Sequence, residues 1–278
     1  MTPSMGTARP QRAIERALIQ EAHLTQALAC AGMTAIRKAN YGHPGRMYEA
    51  FFGLSQAIER LGKLIIVAER YAVMGSYPAA DEIKNQYGHN LKRILRDAES
   101  VATDRHIELV DAPSLNPGSK AVVAFLTKFA NADRYFNIGR LAHGDSLTID
   151  DPVSRWPQLV RAHAPAPRVN AARDARIARQ IDMSRALDQH VPAAIINGVS
   201  LSGENLHSFE SLTAQSHEDE RLSVEGMLLA LRPLRFLSKT IGSFDQARYP
   251  LPMFSDFFWE WKLPDSQLRR RRQFPRRR

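Results

Sequence analysis

Few residues of this sequence have types and spacings that could do chemistry, and the clearest case is an acid–base pair. Glu59 and Lys63 stand four residues apart, in the order that favours an ion pair along a helix. The simplest interpretation is a solvated pair at the edge of a core helix. His43 and His89 each lie beside a glycine, where a turn or capping role is the simpler assignment. Three of these residues are candidate binding residues: Glu59, Lys63 and His89.

The second chemical feature is the arginine-rich C-terminus. Seven of the last ten residues are arginine, and without those seven charges the formal net charge falls from +9 to +2. An arginine run attracts phosphate, so a tail that binds nucleic acid is one interpretation. Contact with an anionic membrane surface and a disordered solubilising tail are the alternatives. The candidate tail contacts are Arg269, Arg270, Arg271 and Arg272.

Several other classes of site are not encoded. The glycines are scattered and no Gly-Lys-Ser/Thr occurs, which argues against a phosphate-binding loop. Cys30 is the one cysteine, so an internal disulfide and a cysteine-built zinc site are excluded. The acidic run from His217 to Glu220 lacks the two-histidine spacing of a helical zinc site and is typical of a helix's first turn. We therefore expect neither a metal nor a cofactor.

The helix that must position Glu59 and Lys63 spans Tyr48 to Arg70. Apolar residues recur there at alternating threes and fours, which predicts one stripe packed into a bundle. Similar patterns predict helices over residues 11–35, 80–103, 120–130, 171–190 and 218–241. Ala194 to Leu201 is the best strand-like segment, but one strand cannot make a sheet. The fold class is predicted as all-α, and the main stripe comprises Phe51, Leu54, Ile58, Leu61, Ile65 and Ala68.

The chain divides into five predicted segments. They are an N-terminal helix (1–40), a helical bundle (41–145), a proline-rich connector (146–170), a further helical region (171–245) and an aromatic segment with the basic tail (246–278). For the aromatic residues at 254–261, docking in a groove of the body or of a partner subunit is the alternative to anchoring at a membrane surface. Composition is that of a soluble globular protein, with 44% apolar and 24% charged residues. No run is long enough to cross a bilayer and no secretory signal begins the chain, so a cytoplasmic location is expected.

Three short motifs resemble one family. Ala57–Lys63 (AIERLGK), then Gly88–Leu91 (GHNL) at the start of a helix, and a late Arg134-Tyr135 with Asn137 are similar to the HEPN superfamily of compact helical domains. The likeness covers about residues 41–145. It implies an all-α up-and-down bundle that dimerises, in prokaryotic defence, toxin–antitoxin or RNA-processing systems.

Many members of that family are metal-independent ribonucleases with an Arg, four to six residues and then a His. In such a site the His serves as acid or base on the ribose 2′-hydroxyl, and the Arg neutralises charge on phosphorus. In the matching segment the candidate catalytic residues are Arg134, Arg140 and His143, but eight or two residues separate each Arg from the His. Pairs with the family's spacing lie elsewhere, Arg185 and His190 among them, at the frequency that composition predicts by chance. Further candidate binding residues are Tyr135 and Asn137.

Two functions are therefore carried forward. The first is a HEPN-like protein that binds or cleaves RNA, through its tail or a divergent site, as a homodimer and in phage defence or a toxin–antitoxin system. The alternative is a non-catalytic helical adaptor that engages a protein partner through its aromatic C-terminal segment. An enzyme needs an arginine and a histidine that converge in one cleft, whereas an adaptor needs only an exposed surface.

Overall fold

The computed structural model describes residues 8–144, 150–166, 170–190, 198–245 and 251–275. Nearly all of the described secondary structure is helical, which confirms the predicted all-α class. The exceptions are two-residue strands β1 (Gly198–Val199) and β2 (Asn205–Leu206), which pair antiparallel. The helices are α1 (Ala8–Lys38), α2 (Gly45–Met74), α3 (Ala80–Tyr87), α4 (Leu91–Asp104), α5 (Pro117–Asn131), α6 (Phe136–His143), α7 (Pro152–His163), α8 (Ala171–Asp188), α9 (Phe209–Gly242), α10 (Ser255–Phe258) and α11 (Asp265–Leu268).

Helix α2 lies at the centre of the bundle, as its stripe predicts. It packs against α1, α4, α5 and α9, and every residue of the predicted stripe is fully buried. Phe51 makes edge-to-face contacts with Phe125 and Phe129 of α5. Glu59 and Lys63 therefore sit on a helix that its neighbours hold on several sides.

Helix α4 approaches α2 most closely at Gly62. A Cβ atom at position 62 would lie 2.3 Å from Cγ2 of Ile94, which is itself fully buried. The absence of a side chain on α2 is thus what lets α4 pack beside Glu59 and Lys63.

We expect Gly62→Ala to lower the free energy of unfolding by about 1–3 kcal/mol, because the added methyl group overpacks a β-branched neighbour. Urea denaturation followed by circular dichroism measures the change. Gly45→Ala is the matched control, since nothing lies within 4 Å of a Cβ at that position. Equal stabilities for the two variants would show that α4 does not depend on Gly62.

The predicted third helix (80–103) is divided into α3 and α4 at Gly88, His89 and Asn90. Gly88 has a φ of +48°, a backbone conformation that favours glycine. The Asn90 side chain then accepts a hydrogen bond from the Arg93 amide and caps α4. The periodicity continues across the break because both helices turn apolar sides inward, but the chain changes direction there.

The predicted connector (146–170) contains α7. Asp151 accepts from the Val153 amide at its start, and Pro152 occupies the first turn, where its missing N–H is not needed. Trp156 and Val160 are buried against the bundle. The segment is thus not only a connector, because Pro152 starts this helix and Pro157 lies within it. Of the predicted strand 194–201, residues 194–197 lie outside the described chain and only Gly198–Val199 pairs as a strand.

Helix α9 joins the additional helical region to the bundle. Its C-terminal half shares one buried apolar cluster with α1, α2, α4 and α5. Its N-terminal part packs against α8, with Asp188 accepting hydrogen bonds from the Phe209 and Glu210 amides. Residues 209–242 are therefore part of the same core as residues 41–131.

Residues 251–275 form what we call the C-terminal strap, which closes the bundle over α1 and α9. The Gln26 side chain donates to the Phe257 carbonyl, and Thr34 exchanges hydrogen bonds with the backbone of Phe274. Of the alternatives that the sequence left open, the structure shows the aromatic segment docked in a groove of the body. Its buried side chains are Phe254, Phe258, Trp261, Leu268 and Phe274.

Candidate functional site

The structure brings three sequence-predicted binding residues together on one side of the bundle. Lys63 Nζ lies 2.7 Å from Oε1 of Glu59, which confirms the predicted ion pair. His89 Nδ1 lies 3.1 and 3.0 Å from the two oxygens of the same carboxylate. Lys63 also donates to the Gly88 carbonyl at 2.6 Å. A single carboxylate thus organises a lysine, an imidazole and the loop that carries the imidazole.

The environments of the two ends of this cluster differ sharply. The Glu59 side chain is 9% exposed, whereas that of His89 is 74% exposed. A buried carboxylate needs hydrogen-bonding partners, and Lys63 and His89 supply them. The ion pair is therefore more buried than the solvated pair that the sequence indicated, and His89 does more than occupy a turn.

The local sequence explains how His89 reaches Glu59. Gly62 admits α4 beside α2, the positive φ of Gly88 reverses the chain, and Asn90 begins α4 directly after His89. Lys63 fastens the same loop through the Gly88 carbonyl. Each of these residues helps to position the imidazole. None of them covers the side of the ring that faces solvent.

This geometry bears on the tautomer of the imidazole. An ionised carboxylate only accepts hydrogen bonds, so opposite Glu59 we assign the hydrogen to Nδ1 of His89. In the neutral ring the lone pair is then on Nε2, which faces away from Glu59. A histidine held in this way by a carboxylate can take a proton from a bound hydroxyl group.

Two surface depressions are lined by residues that lie close to His89 in the sequence. The larger, about 470 Å³, lies between α2, α3 and α4 and includes Tyr87, two residues before His89. Its charged groups are largely used internally, since Arg70 pairs with Glu82 and Glu69 with Arg105. The smaller, about 330 Å³, is the α4–α5 groove, which includes Lys92, three residues after His89. A smaller share of the positive side chains in this second depression is paired with carboxylates than in the first.

The predicted catalytic residues lie on another part of the bundle. Arg134 is exposed, with its guanidinium 4.8 Å from the ring centroid of Tyr135. Arg140 and His143 are exposed in the last turns of α6, a helix without a buried residue. None of the three lines either of the two depressions described above.

Asn137 lies in a different polar group. Its side chain is exposed but hydrogen-bonds the Tyr48 hydroxyl, and burial together with the charge of Asp151 raises the pKa of Tyr48 to about 12. The fully buried Asp133 lies 2.8 Å from a guanidinium nitrogen of Arg155 nearby. Because these contacts join α2, α6 and α7, we assign them to holding the helices together.

Three of the four candidate tail contacts are engaged within the chain. Arg269 pairs with Glu225, and this bond raises the pKa of the guanidinium. Arg271 pairs with the buried Glu260 at 3.0 Å, and Arg272 pairs with Glu220 at 2.7 Å. Arg270 is exposed, and residues 276–278 lie outside the described chain. The first half of the basic run thus fastens the strap.

No family model, curated protein or solved structure matches this chain. The likeness to the HEPN superfamily remains a prediction from the three motifs. Among the residues that the structure describes, no group of three metal-ligating side chains is found, and no helix has the length and apolarity needed to span a bilayer. The site must therefore be judged on its own geometry.

Sequence reasoning missed the joint arrangement of His89 and the α4–α5 groove. The signal was present, since Lys92 and Arg96 stand one turn apart on α4 and His89 precedes Lys92 by three residues. The lysine that faces them from α5, Lys120, is remote in sequence. Only packing shows that these cations line one surface.

Proposed function

We propose that this protein binds RNA and cleaves it without a metal ion, with His89 as the general base. The carrying observation is the hydrogen bond between the buried Glu59 carboxylate and Nδ1 of the exposed His89. This proposal keeps the substrate class that the sequence suggested. It moves the reacting centre from Arg134, Arg140 and His143 to the Glu59–His89 pair.

The proposed reaction is transfer of the phosphoryl group to the neighbouring ribose oxygen. Nε2 of His89 accepts the proton of the 2′-hydroxyl while that oxygen bonds to phosphorus. The bond from phosphorus to the 5′ oxygen breaks, and solvent protonates the departing oxygen. The products are a 2′,3′-cyclic phosphate and a 5′-hydroxyl end. Glu59 stabilises the imidazolium that forms.

Positive charge near His89 supports this assignment. Lys92 and Arg93 follow it by three and four residues, so both belong to the first turn of α4. The Arg93 guanidinium lies 5.4 Å from the ring centroid of Tyr87. Charge of this sign stabilises the phosphorane-like transition state, in which negative charge grows on the phosphoryl oxygens.

The test is incubation of the purified protein with labelled RNA in EDTA. We expect cleavage that leaves 2′,3′-cyclic phosphate ends, and a fall of about 10²–10⁴-fold in rate for His89→Ala, the range for loss of a general base. His43→Ala is the matched control, because His43 is an exposed histidine at a turn and contacts Asn40. No cleavage by the wild-type protein, or equal rates for the two variants, would overturn the proposal.

A non-catalytic adaptor is the second candidate, and one observation favours it. The short helix α6 exposes Ile138 and, at 88%, Leu141. Such side chains are typical of surfaces that contact another protein. An adaptor would use a surface of this kind and not the aromatic segment, since Phe258 and Trp261 are buried in the chain's own core. Wild-type RNA cleavage would count against this candidate.

A further inference from the structure

We infer that the α4–α5 groove is a track for single-stranded RNA that binds phosphates and does not discriminate between bases. This inference rests on the proposed function, because it concerns how the same site holds its substrate. It assigns ligand contacts to Lys92, Arg96 and Lys120. None of these three was a candidate from the sequence.

The charges of the groove fit a polyanion. Lys92 and Arg96 stand one turn apart on α4, and Lys120 faces them from α5. Among the described residues, no carboxylate forms an ion pair with Lys92 or Lys120. Arg96 contacts Asp97 but remains 71% exposed. All three cations are therefore available to phosphate oxygens.

One end of the groove is closed to anions. Glu99 lines it one turn beyond Leu95, and its carboxylate accepts a hydrogen bond from the Ser114 amide at 3.0 Å. Lys92 lines the groove at the start of α4, three residues after His89 in the sequence. In the inferred track, a bound strand would run from the Glu59–His89 pair toward Glu99, with one phosphate near the imidazole and the next ones beside the cations.

The shape of the groove and its lining determine the class of nucleic acid. Two packed helices have axes about 8–10 Å apart, so a groove between them admits one strand and not a duplex. Its floor is aliphatic, with Leu95, Val123 and Ala124. No aromatic ring and no Asn or Gln side chain lines it, so stacking on aromatic rings and paired amide hydrogen bonds to adenine are not available, and we assign the three cations to the phosphates. Recognition is then left to the phosphates.

The test measures binding without cleavage. Fluorescent 12-mers of 2′-O-methyl U, A and C lack the reacting hydroxyl, and their dissociation constants are measured from 50 to 300 mM salt. We expect the three constants to agree within about threefold, and a 12-base-pair duplex to bind at least tenfold more weakly. Three neutralised phosphates predict a slope of log K against log salt of about −2, from about −0.7 for each phosphate on a single strand.

Single charge removals identify the surface. Lys92→Gln, Arg96→Gln and Lys120→Gln are each expected to weaken binding roughly fivefold and to reduce the slope by about 0.7. Lys128→Gln is the matched control, since Lys128 is an exposed lysine of α5 outside the groove. A quadruple variant, Arg270→Gln, Arg276→Gln, Arg277→Gln and Arg278→Gln, tests the remaining tail arginines and is expected to leave affinity and slope unchanged.

The results distinguish failure of the RNA track from failure of the proposed function. Tight preference for one base, equal binding of the duplex, or slopes that change only in the tail variant would overturn the track and leave RNA as the ligand. No binding of any 12-mer, together with no RNA cleavage by the wild-type protein, would overturn both this inference and the proposed function. Base-independent binding that depends on the three groove cations supports the track even in a protein that does not cleave.

Discussion

Trp261→Ala is expected to lower the free energy of unfolding by about 3–5 kcal/mol, the cost of removing a large aromatic side chain from a core. Trp261 is 1% exposed and stacks on Phe258 with ring centroids 4.7 Å apart. Its loss would leave a cavity between the C-terminal strap and the bundle. Chemical denaturation measures the change.

The chain offers a close control two residues away. Trp259 belongs to the same strap but is 50% exposed, so Trp259→Ala is expected to cost less than about 1 kcal/mol. The reactivity of Cys30 provides a second measurement. The Cys30 thiol is buried against Trp261, and burial raises the pKa of this thiol to about 12. A thiol reagent should therefore react faster with Trp261→Ala than with the wild-type protein. Equal stabilities of the two tryptophan variants would show that the strap is not part of the core.

Glu59→Gln is expected to slow RNA cleavage by about 10²-fold or more. The neutral amide retains the size of the carboxylate, but it cannot accept from both Lys63 and His89 with two oxygens, and it no longer stabilises an imidazolium. General bases contribute about 10²–10⁴-fold, and much of that contribution depends on orientation and charge at the ring. Rates in EDTA, with circular dichroism to verify folding, measure the effect.

A double-mutant cycle separates chemistry from structure. If Glu59 acts through His89, the variant with Glu59→Gln and His89→Ala together should be no slower than His89→Ala alone. Glu49→Gln is the control, because Glu49 is an exposed carboxylate of the same helix. A double variant that loses the product of the two single effects would show that Glu59 serves the fold and not the imidazole.

The C-terminal arginines illustrate how a charge run can have a structural role. Arg37 is almost fully buried and donates to the Arg271 carbonyl, while it pairs with Glu220. Arg272 pairs with the same glutamate, and Arg269 and Arg271 pair with Glu225 and Glu260. The acidic partners of the tail lie on α9 and in the strap itself. Net charge by itself could not show this pairing, because it does not say which opposite charges meet.

Local features were predictable because they depend on neighbours in the sequence. The apolar stripe of α2 predicted which of its residues are buried, since residues three and four apart share a helix face. The Glu59–Lys63 pair followed from the same spacing. For these elements, the sequence contained both partners or a period long enough to identify the buried side.

Proline and glycine signals were less reliable because one residue type has several uses. Pro152 starts α7 and does not break it, as Asp151 caps the helix and the first turn needs no N–H from residue 152. Gly88 instead reverses the chain inside what the periodicity predicted as one helix. Which use applies depends on whether tertiary contacts stabilise the helix on either side.

The sequence by itself determined the all-α class, the central helix and three members of the candidate site, Glu59, Lys63 and His89. Only the tertiary structure decided that His89 contacts Glu59, 30 residues away, and that Lys120 faces Lys92 and Arg96 across a groove. It also decided that Arg269, Arg271 and Arg272 are occupied by carboxylates. The reason is physical: helix periodicity specifies which side of a helix is buried, whereas the partner that buries it depends on the packing of the whole chain.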